Sequence, residues 1–356
     1  MRYFALILLI ALTSCKKETI IKQERFVKAK IIPSKIDSLR TDTEIKEYIT
    51  DIDSNYINFK IVPIQEIGLG EDDTEDRIKV LATKKGINKT FYKEDFDNNG
   101  YTDLLIMGGW PVTSTAFKGT RYNPHWIVVM NNGSVPDKII EAQLSYYITS
   151  IPEITNINNE PVINVYYYIP KNPMIKNFPF EIQIENDGTV KNKIVYRYNG
   201  FTEYNANPKD NHIEKIEFES GPCFGQCPIY RLIINKDRSA TLLAEMYNIN
   251  NNDTKEIKGT FKGNIDSLTY KNLTYFLNYI DFKNLKDHYS VSHTCARTGY
   301  LKITYDNGKT KFISDYGMIG TSGLKSLYSY ISELRFNQKW QKISDNTAIL
   351  ETRIEP

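Results

Sequence analysis

From Ile57 onward the chain repeatedly alternates apolar with polar residues and then breaks at an Asn-Gly or Asp-Gly pair. A period of two places successive side chains on opposite faces of an extended strand. Asn-Gly and Asp-Gly accept the positive φ angles of the tightest hairpin turns. A chain built this way is committed to antiparallel sheet. "INFKIVPI", "LLIMGGW", "WIVVMNNG", "PVINVYYYIP" and "FEIQIENDGTVKNKIVYRY" read as strands, with the sharpest hairpin expected at Asn186–Asp187–Gly188. Later, "IEKIEFE", "IYRLIIN", "ATLLAEMY" and "KEIKGTFKG" read the same way, and "GYLKITYDNGKTKFISDY" forms a hairpin about Asn307–Gly308.

Helices interrupt this pattern where the period lengthens. "TDTEIKEYITDID" carries Thr41 and Glu44 at capping-box spacing. Ile45, Tyr48, Ile49 and Ile52 follow on one apolar face. Leu273, Phe276, Leu277 and Ile280 mark a second helix. Leu324, Leu327, Tyr328 and Ile331 mark a third, with Thr321 or Ser322 as its cap. The polar stretch "NGFTEYNANPKDNH" at 199–212 is the expected domain boundary. The expected fold class is α+β with two domains, each mainly antiparallel sheet with helices packed on one face, the carboxyl-terminal one in the order ββββ-α-ββ-α. The domains run from 31 to 200 and from 212 to 340, and the tail from 341 to 356 is expected to be disordered. No period of about 20 to 50 residues repeats, which argues against propellers and solenoids.

"MRYFALILLIALTSC" has one Arg, an apolar run from about Phe4 to Leu12, and then "LTSC". The run is too short to span a bilayer as a helix. Leu12–Cys15 resembles the lipobox of bacterial lipoproteins, in which a Cys after small residues is lipidated and begins the mature chain. The resemblance implies a signal peptide over 1–14, lipidation at Cys15, a polar tether over 15–30, and membrane attachment through buried acyl chains. It places the protein in a bacterial cell envelope, lipid-anchored on an outer-membrane, periplasmic or surface face. Such a compartment is oxidising. The net charge is +2 with acids and bases interspersed, so there is no basic stripe of the kind nucleic acid requires.

Cys15 aside, the cysteines are Cys223, Cys227 and Cys295. In "GPCFGQCPIY" the Pro and Gly residues bend the segment so that Cys223 and Cys227 can meet. In the chain-entropy model a loop that short contributes about 2 kcal/mol, whereas a link to Cys295, closing about 70 residues, contributes roughly 4.4 kcal/mol. Proximity and turn chemistry favour the short Cys223–Cys227 bridge, with Cys295 left as a buried thiol. Two other readings use the same residues. Cys223, Cys227, His293 and Cys295 form a three-Cys, one-His set that zinc or copper could take, although His-x-Cys is a weak second half. "CFGQCP" also resembles the C-x-x-x-C-P of thioredoxin-fold copper-delivery proteins. That chemistry needs a helix starting at the pair, and "IYRLIINKD" behind Pro228 alternates like a strand.

"GPCFGQCPIYRLIINKD", "GTFKGNIDSLTYKNLTYFLNYIDFKNLKDHY" and "KFISDYGMIGTSGLKSLYSYISEL" together resemble an uncharacterised bacterial envelope lipoprotein domain with a G-x-C-F-G-x-C-P-x-Y segment. The resemblance covers about residues 212 to 340 and implies a small α+β module with no established activity. "HTCART" departs from it, since an Asp-containing loop is more usual there.

"DFDNNGYTDLL" is the strongest candidate site of the first domain. Asp95, Asp97, Asn99 and Asp103 stand at loop positions 1, 3, 5 and 9, with Gly100 at 6 and the Tyr101 carbonyl at 7. This resembles the Ca²⁺ loops of integrin-type and dockerin-like repeats. Position 12 is Ile106 rather than Glu, so Asp103 must close the shell. A plain turn would account for Asn99–Gly100, but not for three carboxylates within nine residues. The expected ion is a structural Ca²⁺.

The chain is expected to carry no G-x-S-x-G, H-E-x-x-H, P-loop or S-x-x-K signature. No residue is assigned a catalytic role. The expected function is a non-enzymatic scaffold or binding protein with a protein or glycan partner. The alternative is a thiol-redox or Zn/Cu-handling protein using Cys223, Cys227, His293 and Cys295.

Overall fold

The computed structural model describes residues 27–67, 73–112, 121–133, 137–142, 149–169, 175–176, 189–250, 255–346 and 354–355. The expected signal segment, Cys15 and the expected Asn186–Gly188 hairpin lie outside these. The chain is α+β, dominated by antiparallel sheet.

The first half holds helices α1 (Lys35–Ser38), α2 (Asp42–Ile52) and α3 (Asp73–Lys85). Its strands are β1 (Lys60–Ile61), β2 (Phe91–Glu94), β3 (Asp103–Val112), β4 (Arg121–Met130), β5 (Lys138–Ile140), β6 (Ser150–Ile157), β7 (Glu160–Tyr167), β8 (Ile175–Lys176), β9 (Val190–Arg197) and β10 (Gly200–Glu203). The second half holds β11 (Ile213–Ser220), β12 (Ile229–Asn235), β13 (Ser239–Met246), β14 (Gly259–Asn264), α4 (Ser267–Tyr279), β15 (His288–Val291), β16 (Thr298–Tyr305), β17 (Lys309–Tyr316), α5 (Ser322–Asn337) and β18 (Trp340–Ser344).

α2 begins where its sequence says it must. Thr41 accepts from the Glu44 amide while Glu44 reaches back to the Thr41 amide, so two otherwise unpaired donors are satisfied. Its face of Ile45, Tyr48 and Ile49 covers Leu104, Ile106, Ile127 and Val129 of a five-stranded sheet, β1-β3-β4-β5 with β2 also on β3. The alternate residues Leu105, Met107, Trp126, Val128 and Met130 face the other way. There they meet α3 and a four-stranded sheet, β10-β9-β7-β6. Both faces of β3 and β4 are therefore buried, which explains their near-continuous apolar runs.

α3 was not expected from the sequence. Its residues "DTEDRIKVLATKK" are mostly polar, and only Ile78, Leu81 and Ala82 reach the core. "INFKIVPI" was expected to be a full strand. It is instead 3-10 turns at Ser54–Asn58 and Ile64–Glu66 flanking the two-residue β1. Here Phe59 and Ile64 are drawn into different core clusters, and that breaks the alternation. β1 pairs with β3 so closely that a Cβ on Gly108 would lie 2.2 Å from the Lys60 carbonyl. Backbone cannot give way as a side-chain tip can. Gly108→Ala is expected to cost about 1–3 kcal/mol in denaturant unfolding.

The second half has one nine-stranded sheet, β18-β14-β13-β12-β11-β16-β17-β15-β8, antiparallel except for β15 on β17. Leu273, Phe276 and Leu277 of α4, with Leu324, Leu327, Tyr328 and Ile331 of α5, cover one face of it. The expected order ββββ-α-ββ-α is present, with the short β15 and the final β18 added. β18 overlaps the start of the tail expected to be disordered and pairs with β14. Beyond it Ile354 is buried, and the Glu355 carbonyl accepts from Lys302 Nζ at 2.8 Å. Main-chain pairing, rather than apolar periodicity, orders this polar segment.

The expected boundary at 199–212 opens with β10, which pairs with β9 across Tyr198–Asn199. β8, from the first half, extends the second half's sheet through β15. Glu203 accepts from the amides of Ser322 and Gly323 at 2.7 and 2.9 Å, capping α5 from the other half of the chain. Tyr198 stacks on Phe276 with ring centroids 4.8 Å apart. The two halves share a continuous seam.

Candidate functional site

The acidic loop joins β2 to β3. Asn98 and Gly100 both take positive φ, +59° and +88°, and these two residues turn the chain sharply enough to fold the loop back on itself. As a result one oxygen from each of Asp95, Asp97 and Asp103 lies within 4.8 Å of the others. Asp95 and Asp103 are buried, and Asp97 is half-buried at the mouth.

The carboxylates are held by main-chain donors. Asp103 Oδ2 accepts from Phe96 N at 2.7 Å and Oδ1 from Asn131 N at 2.8 Å. Asp95 accepts from the amides of Asn99 and Gly100 at 3.1 and 2.9 Å. Burial, reinforced by the neighbouring acids, pushes Asp103 up to about 8 and Asp97 up to about 6. The backbone amides pull both the other way but do not prevail. The arrangement thus gathers three acids in a poorly solvated place, where a divalent cation would take the place of the protons that burial favours.

Asn99 braces the loop. Its Nδ2 donates to Asn131 O at 2.7 Å and to Asp97 Oδ2 at 3.2 Å, while its Oδ1 accepts from Tyr101 N. The expected ligand set of Asp95, Asp97, Asn99, Tyr101 and Asp103 is therefore brought into one loop. The three carboxylates converge, and the Asn99 oxygen is turned to the main chain.

The sequence did not reveal what covers this loop. Residues 27–32, spanning the end of the expected tether and the start of the expected domain, pack against it: Ala29 N donates to Asn98 Oδ1 at 2.7 Å, Asn98 Nδ2 to Val27 O at 2.8 Å, and Ile32 N to Gly100 O at 2.7 Å.

In the second half, Cys223 and Cys227 are joined, with their Cα atoms 5.7 Å apart. An extended strand, β12, follows Pro228 where redox chemistry would require a helix. Phe224 between the two cysteines is 88% exposed. Cys295 is free, and it is exposed rather than buried as expected. It lies on the β15–β16 connection. Cys295 and the bridge are neighbours through the main chain, since Phe224 N donates to Cys295 O at 3.3 Å. His293 lies two residues away and is half-buried. With two sulfurs tied to each other, the expected three-Cys, one-His set lacks two of its thiolates. Among the described residues, the acid triad is the one group of three spaced to hold a metal.

A cleft of about 210 Å³ lies on the seam between the halves, lined by Glu141, Asn199, Ser322, Lys325, Ser326 and Ser329 among others. Lys325 Nζ donates to the Glu141 carbonyl at 3.0 Å, and Ser326 Oγ to the Phe201 carbonyl at 2.6 Å. Ser322 and Lys325 stand at S-x-x-K spacing, which was the legible signal for this helix face. The expectation that no S-x-x-K occurs is corrected by this pair.

Residues 214–335 match a family model described as Domain of unknown function (DUF6438). No curated protein matches the chain, and no solved structure matches it. Among the described residues no helix is long and apolar enough to cross a membrane.

Proposed function

We propose that the chain is a lipid-anchored envelope protein that acts by binding, with a structural Ca²⁺ in the Asp95–Asp103 loop. The convergence of three carboxylates within 4.8 Å, two of them buried, carries the reading of the loop. A cation there would join β2 to β3 and, through Asn98 and Gly100, the segment leading from the anchor. Its role is to hold the loop's shape. Calorimetric titration of purified protein with CaCl₂ tests this. A single saturable site, lost in Asp97→Asn, is expected, and heat indistinguishable from dilution would end the Ca²⁺ reading.

The anchor rests on "LTSC" ahead of a polar segment. Cells expressing Cys15→Ala are expected to leave the chain without incorporated fatty acid and with its leader uncleaved. Unchanged labelling by a radioactive or clickable acyl chain would remove the anchor. The binding face is expected to take a protein or glycan partner in the envelope.

A further inference from the structure

We infer that the open face of the nine-stranded sheet, around Glu219 and Lys302, is a peptide-binding surface. Its partner is a protein segment that presents a branched aliphatic residue outside any helix or strand. The chain's own residues 354 and 355 occupy the surface in the free protein. The inference rests on the reading that the protein acts by binding, and it names the face and the partner's chemistry.

The face is built by strand alternation. Leu232, Leu301 and Ile313 point toward α4 and α5. Their neighbours Ile233, Tyr300, Lys302 and Phe312 therefore point the opposite way. A sheet face open to water is ordinarily polar. This one carries Ile233, Tyr300 and Phe312, each half-buried, and the two rings stack with centroids 6.3 Å apart. Its acids are already matched. Glu219 meets Arg231 at 2.6 Å, and Glu217 lies 2.9 Å from Lys215. The surface thus offers apolar area together with a cation, Lys302, for a main-chain carbonyl.

A segment is already seated there. Ile354 is buried, and its amide donates to Glu219 Oε2 at 3.3 Å. The Glu355 carbonyl accepts from Lys302 Nζ at 2.8 Å. Glu219 and Lys302 thus read one amide and the next residue's carbonyl, with a buried aliphatic side chain between them. Both seated residues lie outside any strand, so they are engaged by side chains rather than by a ladder.

The distances make this a tethered ligand. From β18 to β11 the sheet order crosses four strand spacings, roughly 19 Å. The eight residues from Asn346 to Ile354 reach at most about 29 Å. A segment linked so closely competes at millimolar effective concentration. A partner that makes the same contacts and adds others displaces it.

The test uses the full chain in EDTA, with Ile354→Asp to set a carboxylate against Glu219 and unseat the segment. The probe is a fluorescein-labelled peptide of residues 347–356, TAILETRIEP, followed by polarisation. Saturable binding to the Ile354→Asp chain is expected, with binding at least tenfold weaker to the wild-type chain, whose own segment competes. Adding Lys302→Ala to the variant is expected to weaken binding about tenfold. The same peptide with Asp in place of its Ile354 is expected not to bind. Absence of saturable binding to the Ile354→Asp chain overturns the inference. Equal affinity for the two chains, or an affinity indifferent to Lys302→Ala, overturns it as well. If Ile354→Asp does not fold, isotope-labelled wild-type chain decides. Excess unlabelled peptide is then expected to speed hydrogen exchange at the chain's Ile354 amide, and unchanged exchange overturns the inference. Acyl labelling and Ca²⁺ calorimetry read the anchor and the acid loop separately, so a failure here is distinguishable from a failure of either.

Discussion

Arg231→Ala is expected to destabilise the protein by about 3–5 kcal/mol in urea unfolding, the cost of leaving a buried carboxylate without its cation. Glu219 and Arg231 are directly opposed in the β11–β12 ladder, and the guanidinium bonds Glu219 Oε2 through Nη2 at 2.6 Å and Nε at 3.0 Å. The pair lies on the face of the sheet away from α4 and α5, where strand residues are ordinarily wet. Yet the Glu219 side chain is only 2% exposed and that of Arg231 11%. The carboxyl-terminal residues supply the cover, since Ile354 is buried and its amide donates to Glu219 Oε2 at 3.3 Å.

This origin of burial makes the prediction separable. In a chain ending at Asn346 the pair meets solvent, and the same substitution should cost no more than about 1 kcal/mol. Replacing both partners together, Glu219→Leu with Arg231→Met, should cost far less than Arg231→Ala alone, because no charge is left stranded. A penalty for Arg231→Ala that is small, or unchanged by the truncation, would mean that the tail does not desolvate the pair.

The second large effect is expected from Ca²⁺ as a function of pH. Asp97 and Asp103 have folded-state values of about 6 and about 8, above the ordinary 3.8, chiefly because they are buried beside each other and Asp95. A raised folded value means that the folded chain holds these protons more tightly than the unfolded chain. Their contribution to stability is therefore greatest at acid pH, and it falls as pH rises from about 4 to about 8. Ca²⁺ requires the deprotonated groups, so its affinity should climb across the same window.

In EDTA the melting temperature should decline from pH 5 to pH 8. Saturating Ca²⁺ should reverse that decline, adding about 2.7 kcal/mol at 100 times the dissociation constant. Asp315, pushed up to about 6 by burial, contributes to the slope in EDTA. The diagnostic quantity is therefore the Ca²⁺-dependent part, which Asp103→Asn should abolish. A Ca²⁺ effect equal at pH 5 and pH 8 would count against the carboxylates as its ligands.

The chemistry legible in advance was local chemistry. Thr41 and Glu44 announce the start of α2 because a capping box is complete within four residues. Asn307–Gly308 announces the β16–β17 turn because φ there must be positive. The spacing of Asp95, Asp97 and Asp103 announces their convergence because one loop contains them all. α3 and β18 gave little warning. α3 exposes most of its surface and buries few apolar residues. β18 is ordered by main-chain pairing with a strand about 80 positions earlier.

By itself, then, the order of residues determined the α+β class, the turns, the helix caps, the acid loop and the closeness of Cys223 to Cys227, all governed by interactions spanning a few positions. Only the tertiary structure decided what covers them. It brought residues 27–32 onto the acid loop, Glu203 to the start of α5, Ile354 over Glu219, and Cys295 to the surface beside Phe224. Burial and long-range hydrogen bonds depend on which distant segments meet, and hydrophobic periodicity along one stretch carries no record of its partner.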